Sequence, residues 1–186
     1  IIQGGINMFS TKNKLLKFQI FSVIFAWILG TILHFTYEWS NKNIVVAAFS
    51  AVNESTWEHL KLLFFPMFIT TIIGLIYFRK KDKINNFLCA KTIGIIVALS
   101  FVVIFFYTYT GVIGTDFAIL DIGSFFVGVF LGEYTAYKLI KKGALCDNKL
   151  AIILIIIFSL FIIFTYKTPN LGIFKDPVNG SYGILL

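Results

Sequence analysis

Nine consecutive residues, Asn53-Glu54-Ser55-Thr56-Trp57-Glu58-His59-Leu60-Lys61, carry an amide, two carboxylates, an indole, an imidazole and an ammonium. The sequence on either side is apolar. A lipid bilayer accepts such groups only at its surface, paired with one another, or lining a wet cavity. Two more groups lie upstream: His34 and Glu38 are four apart and share one face of a helix. Downstream, Asp121 lies on the same helical stripe as Ser124, Gly128 and Gly132, so its carboxylate is expected to face other protein and not lipid.

Several chemistries fit these residue types. His34, His59 and one of Glu54, Glu58 or Asp121 could form a two-histidine, one-carboxylate set, which zinc uses when a fourth position stays open for water. The spacing argues against a ready-made zinc motif. There are two histidines in the chain, neither sits in an H-E-x-x-H array, and Glu58 and His59 are adjacent, so on a helix they diverge by about 100°. No cofactor is therefore expected, with zinc the metal such a set would take. The second chemistry is metal-free proton transfer, in which a glutamate of raised pKa and a histidine flank a lipid-like substrate. The third is a proton or ion path in a small transporter. The fourth is structural: Glu54, Glu58 and Lys61 satisfy one another and cap a helix, while Trp57 anchors at the interface.

Composition sets the frame for these groups. The 186 residues are 58% hydrophobic and 13% charged, against about 45–50% and ~25% in soluble domains. This is the composition of one integral membrane domain. The net charge is +7, and Arg79 is the single arginine. A lysine excess of this kind marks the cytoplasmic loops of membrane proteins, and nothing points to nucleic acid, whose binders carry arginine-rich patches on a polar domain. Cys89 and Cys146 match no metal or redox spacing and lie beside basic loops, so free thiols are expected. Residues 1–7 read like a translated ribosome-binding site ahead of Met8 and are expected to be an upstream artefact.

The elements follow from apolar runs bounded by charge and turn formers. Lys12, Lys14 and Lys17 lead into a first span at about 18–37. Residues 44–52 are too short to cross a bilayer and predict a half-helix or re-entrant segment. Ser55 and Glu58 form an S-x-x-E capping box that starts a second span at about 56–78. Pro66 is expected to kink it. The lysine-rich segment 79–83 ends it. Further spans are predicted at about 93–110, 116–137 and 150–166, with a non-helical outer tail at 167–186. The fold class is all-α, an integral membrane bundle of five transmembrane helices. Lysines alternate by side so that the N-terminus is cytoplasmic, the C-terminus outside, and His34, Glu38, residues 53–61 and Asp121 share the outer half. Glu133 is the acid expected toward the inner side.

Three stretches carry a family resemblance. They are A-V-N-E-S-T-W-E-H-L-K-L-x-F-F-P (Ala51 to Pro66), H-F-x-Y-E (His34 to Glu38) and F-K-D-P-V-N-G-S-Y-G (Phe174 to Gly183). Together they resemble a family of small bacterial multi-pass membrane proteins of unknown function, the domain-of-unknown-function 6512 family. The resemblance runs from about Met8 to the end and implies a membrane location without an activity. Its motif residues here are His34, Glu38, Asn53, Glu54, Trp57, Glu58, His59, Lys61, Asp176 and Pro177. A looser similarity, to the emopamil-binding and sterol-isomerase group, implies that His34 and Glu38 handle protons and that Trp57 faces a substrate cation. That group is a four-helix unit, whereas this chain reads as five spans.

The expected site is thus His34, Glu38, Asn53, Glu54, Trp57, Glu58, His59, Lys61 and Asp121, in a bacterial cytoplasmic membrane protein. Its expected partners are membrane lipid and a lipid-like small molecule. The first functional reading is an enzyme or binder using acid–base chemistry. A small transporter or ion-coupled carrier is the alternative, and a non-catalytic scaffold the second alternative.

Overall fold

The computed structural model describes residues 2–79, 84–143 and 146–184. Its elements are α1 (Ile2–Trp39), a one-turn α2 (Ile44–Ala47), α3 (Thr56–Arg79), α4 (Phe87–Ile113), α5 (Ala118–Lys142) and α6 (Ile152–Tyr166), the last entered through a 3-10 turn at Asn148–Ala151. Five of these helices are long and apolar enough to cross a membrane. Helices are what such runs must form, because lipid offers no partner to a free N–H or C=O. The expected all-α bundle of five spans is what the chain forms. The predicted short element between the first two spans is α2, whose N-cap Asn43 accepts from the Val45 N–H.

Two close approaches set the geometry of the bundle. α4 and α5 pair through glycine: a Cβ on Gly94 would lie 2.5 Å from the Gly132 carbonyl oxygen, and one on Gly132 would lie 2.6 Å from that of Gly94. The small-residue stripe of α5 is a packing seam. α1 and α3 meet at Gly30, where a Cβ would stand 2.5 Å from the Leu62 carbonyl oxygen. Leu62 is four residues before Pro66, so the N–H this carbonyl would ordinarily accept from is missing. The glycine lets a second helix cover it, and α3 continues through Pro66 as one helix.

The lysine-rich end departs from expectation twice. α4 begins six residues earlier than the predicted 93, at Phe87. Lys91 therefore leaves the loop and enters the bundle, where it is buried. Its Nζ donates to both carboxylate oxygens of Glu133 on α5, at 2.5 and 2.6 Å. The second correction concerns the cysteines. Cys89 and Cys146 are not free thiols but are joined as a disulfide. The first turn of α4 packs beside the entry to α6, as the bonds of Asn148 to the Cys89 N–H and the Asn85 carbonyl also show. A separation of 57 residues hid that proximity. Lys80 to Lys83, part of the predicted cytoplasmic signal, lie outside the described residues.

At the opposite end the tail folds back over the start of α3. Among its described residues it is non-helical apart from a 3-10 turn at Gly172–Phe174, and an antiparallel bridge joins Lys175 to Tyr182.

Candidate functional site

Local bonds bring residues 50–59 against α1. The hydroxyl of Ser50 donates to the Leu33 carbonyl and accepts from the Tyr37 N–H at 3.0 Å and from Thr36 Oγ1 at 2.9 Å. Leu33 and Tyr37 are an i, i+4 pair, so Ser50 inserts into the hydrogen-bond ladder of α1 beside His34. Asn53 then forms an Asx turn by accepting from the Ser55 N–H, and its amide donates to the Gly183 carbonyl of the tail. The Glu58 N–H donates to Ser55 Oγ at 3.4 Å, giving half of the expected capping box. The other half is redirected: the Glu58 carboxylate accepts from the Val52 N–H, not from that of Ser55.

This scaffold gathers His34, Glu54 and His59. Nε2 of His59 lies 3.4 Å from one oxygen of Glu54, and Nε2 of His34 lies 3.9 Å from the other. The two imidazole centroids are 5.3 Å apart. One ligand atom from each of the three side chains lies within 4.8 Å of the others. Nδ1 of His59 is 3.0 Å from the Ser55 carbonyl oxygen. A carbonyl only accepts, so Nδ1 carries a proton and Nε2 is the nitrogen turned to Glu54. The contact with His59 holds the Glu54 carboxyl below the usual carboxylate range, while its partial burial pulls the other way. Glu54 is thus the charged member of the cluster, not a proton-holding glutamate of raised pKa.

The cluster opens on a cavity of about 520 Å³. Leu62, Leu63, Val102, Phe106, Phe125 and Phe126 supply apolar wall, and Pro177 and Val178 of the tail also line it. Asp121 lines it from α5 and accepts a hydrogen bond from the Tyr109 hydroxyl. Asp116 and Ser124 line it as well.

The other expected site residues go elsewhere. Glu38 is exposed and pairs with Lys42 at 3.9 Å. Positions 34 and 38 differ by about one turn along the helix, roughly 6 Å, and that step carries Glu38 past the end of the packed bundle into solvent while His34 stays within it. Glu58 and Lys61 are buried and joined at 2.5 Å. Lys61 also donates to the Ala47 carbonyl at 2.8 Å and to Thr165 Oγ1 at 3.0 Å, so one of its contacts stays within α3 and two tie α3 to α2 and α6. Trp57 packs on Phe161, Phe164 and Phe174 and does not line the cavity. Asn53 holds the tail in place. Of the positions the sterol-isomerase resemblance marks, His34 lines the cavity and Glu38 and Trp57 do not.

Sequence reasoning missed Gly30, Thr31, Phe125 and Phe126 of the lining. Thr31 is one turn before His34 and Phe125 one turn after Asp121, so helical spacing from the polar anchors was the available signal.

The family model described as a family of unknown function, DUF6512, matches residues 7–184. The chain belongs to DUF6512. No curated protein and no solved structure matches this DUF6512 chain. The family description assigns no activity, so the functional reading of this member rests on its own geometry.

Proposed function

We propose that this DUF6512 protein is a membrane-embedded enzyme or binder that holds a lipid-like molecule beside an acid–base cluster. One observation carries the reading: His34, Glu54, His59 and Asp121, drawn from α1, the 51–55 loop, α3 and α5, line a single mainly apolar cavity of about 520 Å³. Ligand sites combine such walls with a few convergent polar groups. His59 is oriented by the Ser55 carbonyl and Glu54, which fits it to carry a proton toward the cavity, with Glu54 as its counter-charge. Asp121, steadied by Tyr109, supplies a second acid–base group in the same space. Glu133, where a transport path would have to continue, is occupied by Lys91 and does not line the cavity.

The lysine distribution favours a cytoplasmic N-terminus in a bacterial inner membrane, with the cavity at the outer end. The Cys89–Cys146 bond sits at the lysine-rich end and weighs the other way, since disulfides are rare in the cytosol. Reagent access to a cysteine placed at Lys42 or at Lys142 in intact cells decides the orientation.

The test of the main reading is native mass spectrometry of the detergent-purified chain. A lipid-like adduct is expected on the wild type and not on Thr31→Trp, where an indole on an exposed wall position fills the cavity at little cost to folding. Equal adducts on both, or none on either, would sink the reading.

A further inference from the structure

The arrangement of His34, Glu54 and His59 has an unmet electrostatic demand. The acceptor at His59 Nδ1 is the Ser55 carbonyl, so the proton of the neutral ring is on that side and the Nε2 lone pair points at Glu54. The other oxygen of Glu54 faces His34 Nε2 at 3.9 Å, beyond hydrogen-bond reach. Two imidazole nitrogens thus face one carboxylate with no short hydrogen bond closing the set. A second proton on His59 would settle the 3.4 Å contact and leave the 3.9 Å one to His34 unchanged.

A divalent metal settles all three. Ligands of tetrahedral zinc bound at about 2.0–2.2 Å lie roughly 3.3 Å apart. The 3.4 Å and 3.9 Å contacts run to the two oxygens of Glu54, and one ligand atom from each of the three side chains lies within 4.8 Å of the others, so closing on a metal needs the widest pair to contract by up to about 1.5 Å. The Nδ1–H of His59 bound to a carbonyl is the outer-shell arrangement that orients a metal-ligating histidine. Two neutral imidazoles and one carboxylate leave a net charge of +1 on the ion, and Asp121 and Asp116 on the same cavity offset it.

We propose that His34 Nε2, His59 Nε2 and the Glu54 carboxylate form a site for a divalent metal of the zinc class, with its fourth position open to the cavity. The proposal rests on the cavity of the preceding reading. It replaces the proton between the imidazoles and Glu54 by a metal ion and leaves Asp121 as the acid–base group nearest the open position.

The experiment uses the full chain in detergent, stripped with chelator and then titrated with Zn²⁺ alone. One zinc per chain is expected after desalting, measured by elemental analysis. His34→Gln, His59→Gln and Glu54→Gln should each weaken binding on the order of 100-fold or more, since even outer-shell partners of a metal site are worth 10–100-fold. Glu38→Gln, which lies outside the cavity, should keep it. Co²⁺ added to the stripped wild type gives a readout that needs no variant: intense visible bands mark four-coordinate binding, and their absence overturns the proposal. Failure of the wild type to retain zinc also overturns it. If the lipid-like adduct is then still present, the preceding reading survives without the metal. Zinc retained by a chain that binds no lipid supports the metal site and removes the lipid reading instead.

Discussion

The molecule contains two kinds of ionisable cluster, and they differ in saturation. Lys61 and Glu58, and Lys91 and Glu133, are buried pairs in which donors meet acceptors. Lys61 serves Glu58, Ala47 and Thr165, and Lys91 serves both oxygens of Glu133 and, at 3.4 Å, Thr70. His34, Glu54 and His59 are partly exposed and are joined only by longer contacts, at 3.4 and 3.9 Å. The first kind holds helices together, since breaking a buried pair strands a charge. The second contributes little to holding the fold, and what it leaves open is a ligand position. Residue type does not separate the two, because Glu54 and Glu58 lie four apart in one motif.

The comparison can be broken most forcefully at the lysine-rich end. Lys91→Met should cost about 3–5 kcal/mol in reversible unfolding in detergent, because Glu133 loses its partner in a buried position. The double variant Lys91→Met, Glu133→Gln should recover most of that loss; no recovery would mean the pair is not a closed unit. Lys61→Met is expected to cost about 3 kcal/mol, somewhat less, since Glu58 keeps the Val52 N–H. Next comes the α4–α5 seam. Gly132→Val drives a side chain toward the Gly94 carbonyl and should destabilise by about 1–3 kcal/mol, read as a lowered melting temperature.

The site variants should invert this pattern. His34→Gln and Glu54→Gln are expected to change stability by no more than about 0.5 kcal/mol, yet to abolish zinc retention or the lipid adduct. A large stability loss in these two would place them with the structural pairs and end the distinction. The smallest effect belongs to Glu38→Gln, whose exposed contact with Lys42 contributes nothing measurable to folding or binding. If Glu38→Gln removes the ligand, the cavity has been assigned to the wrong residues.

Much of this was legible in the sequence because membrane folding is governed by local rules. Apolar run length determined five spans, the S-x-x-E at Ser55 located the start of α3, and the alternation of lysine-rich loops put His34, residues 53–61 and Asp121 at one end. What sequence could not determine was azimuth, the direction each polar side chain takes around its helix. That was decided by contacts between elements. Ser50 entering the ladder of α1, Gly30 admitting the Leu62 carbonyl and Asn53 holding the tail turn His34, Glu54 and His59 toward one cavity. The same packing sends Glu58 and Lys61 into α2 and α6, leaves Glu38 outside, and joins Cys89 to Cys146. Hydropathy sums along the chain and so survives in the sequence. Pairing between side chains depends on distances of a few ångströms between segments far apart in it, and only the folded bundle sets those.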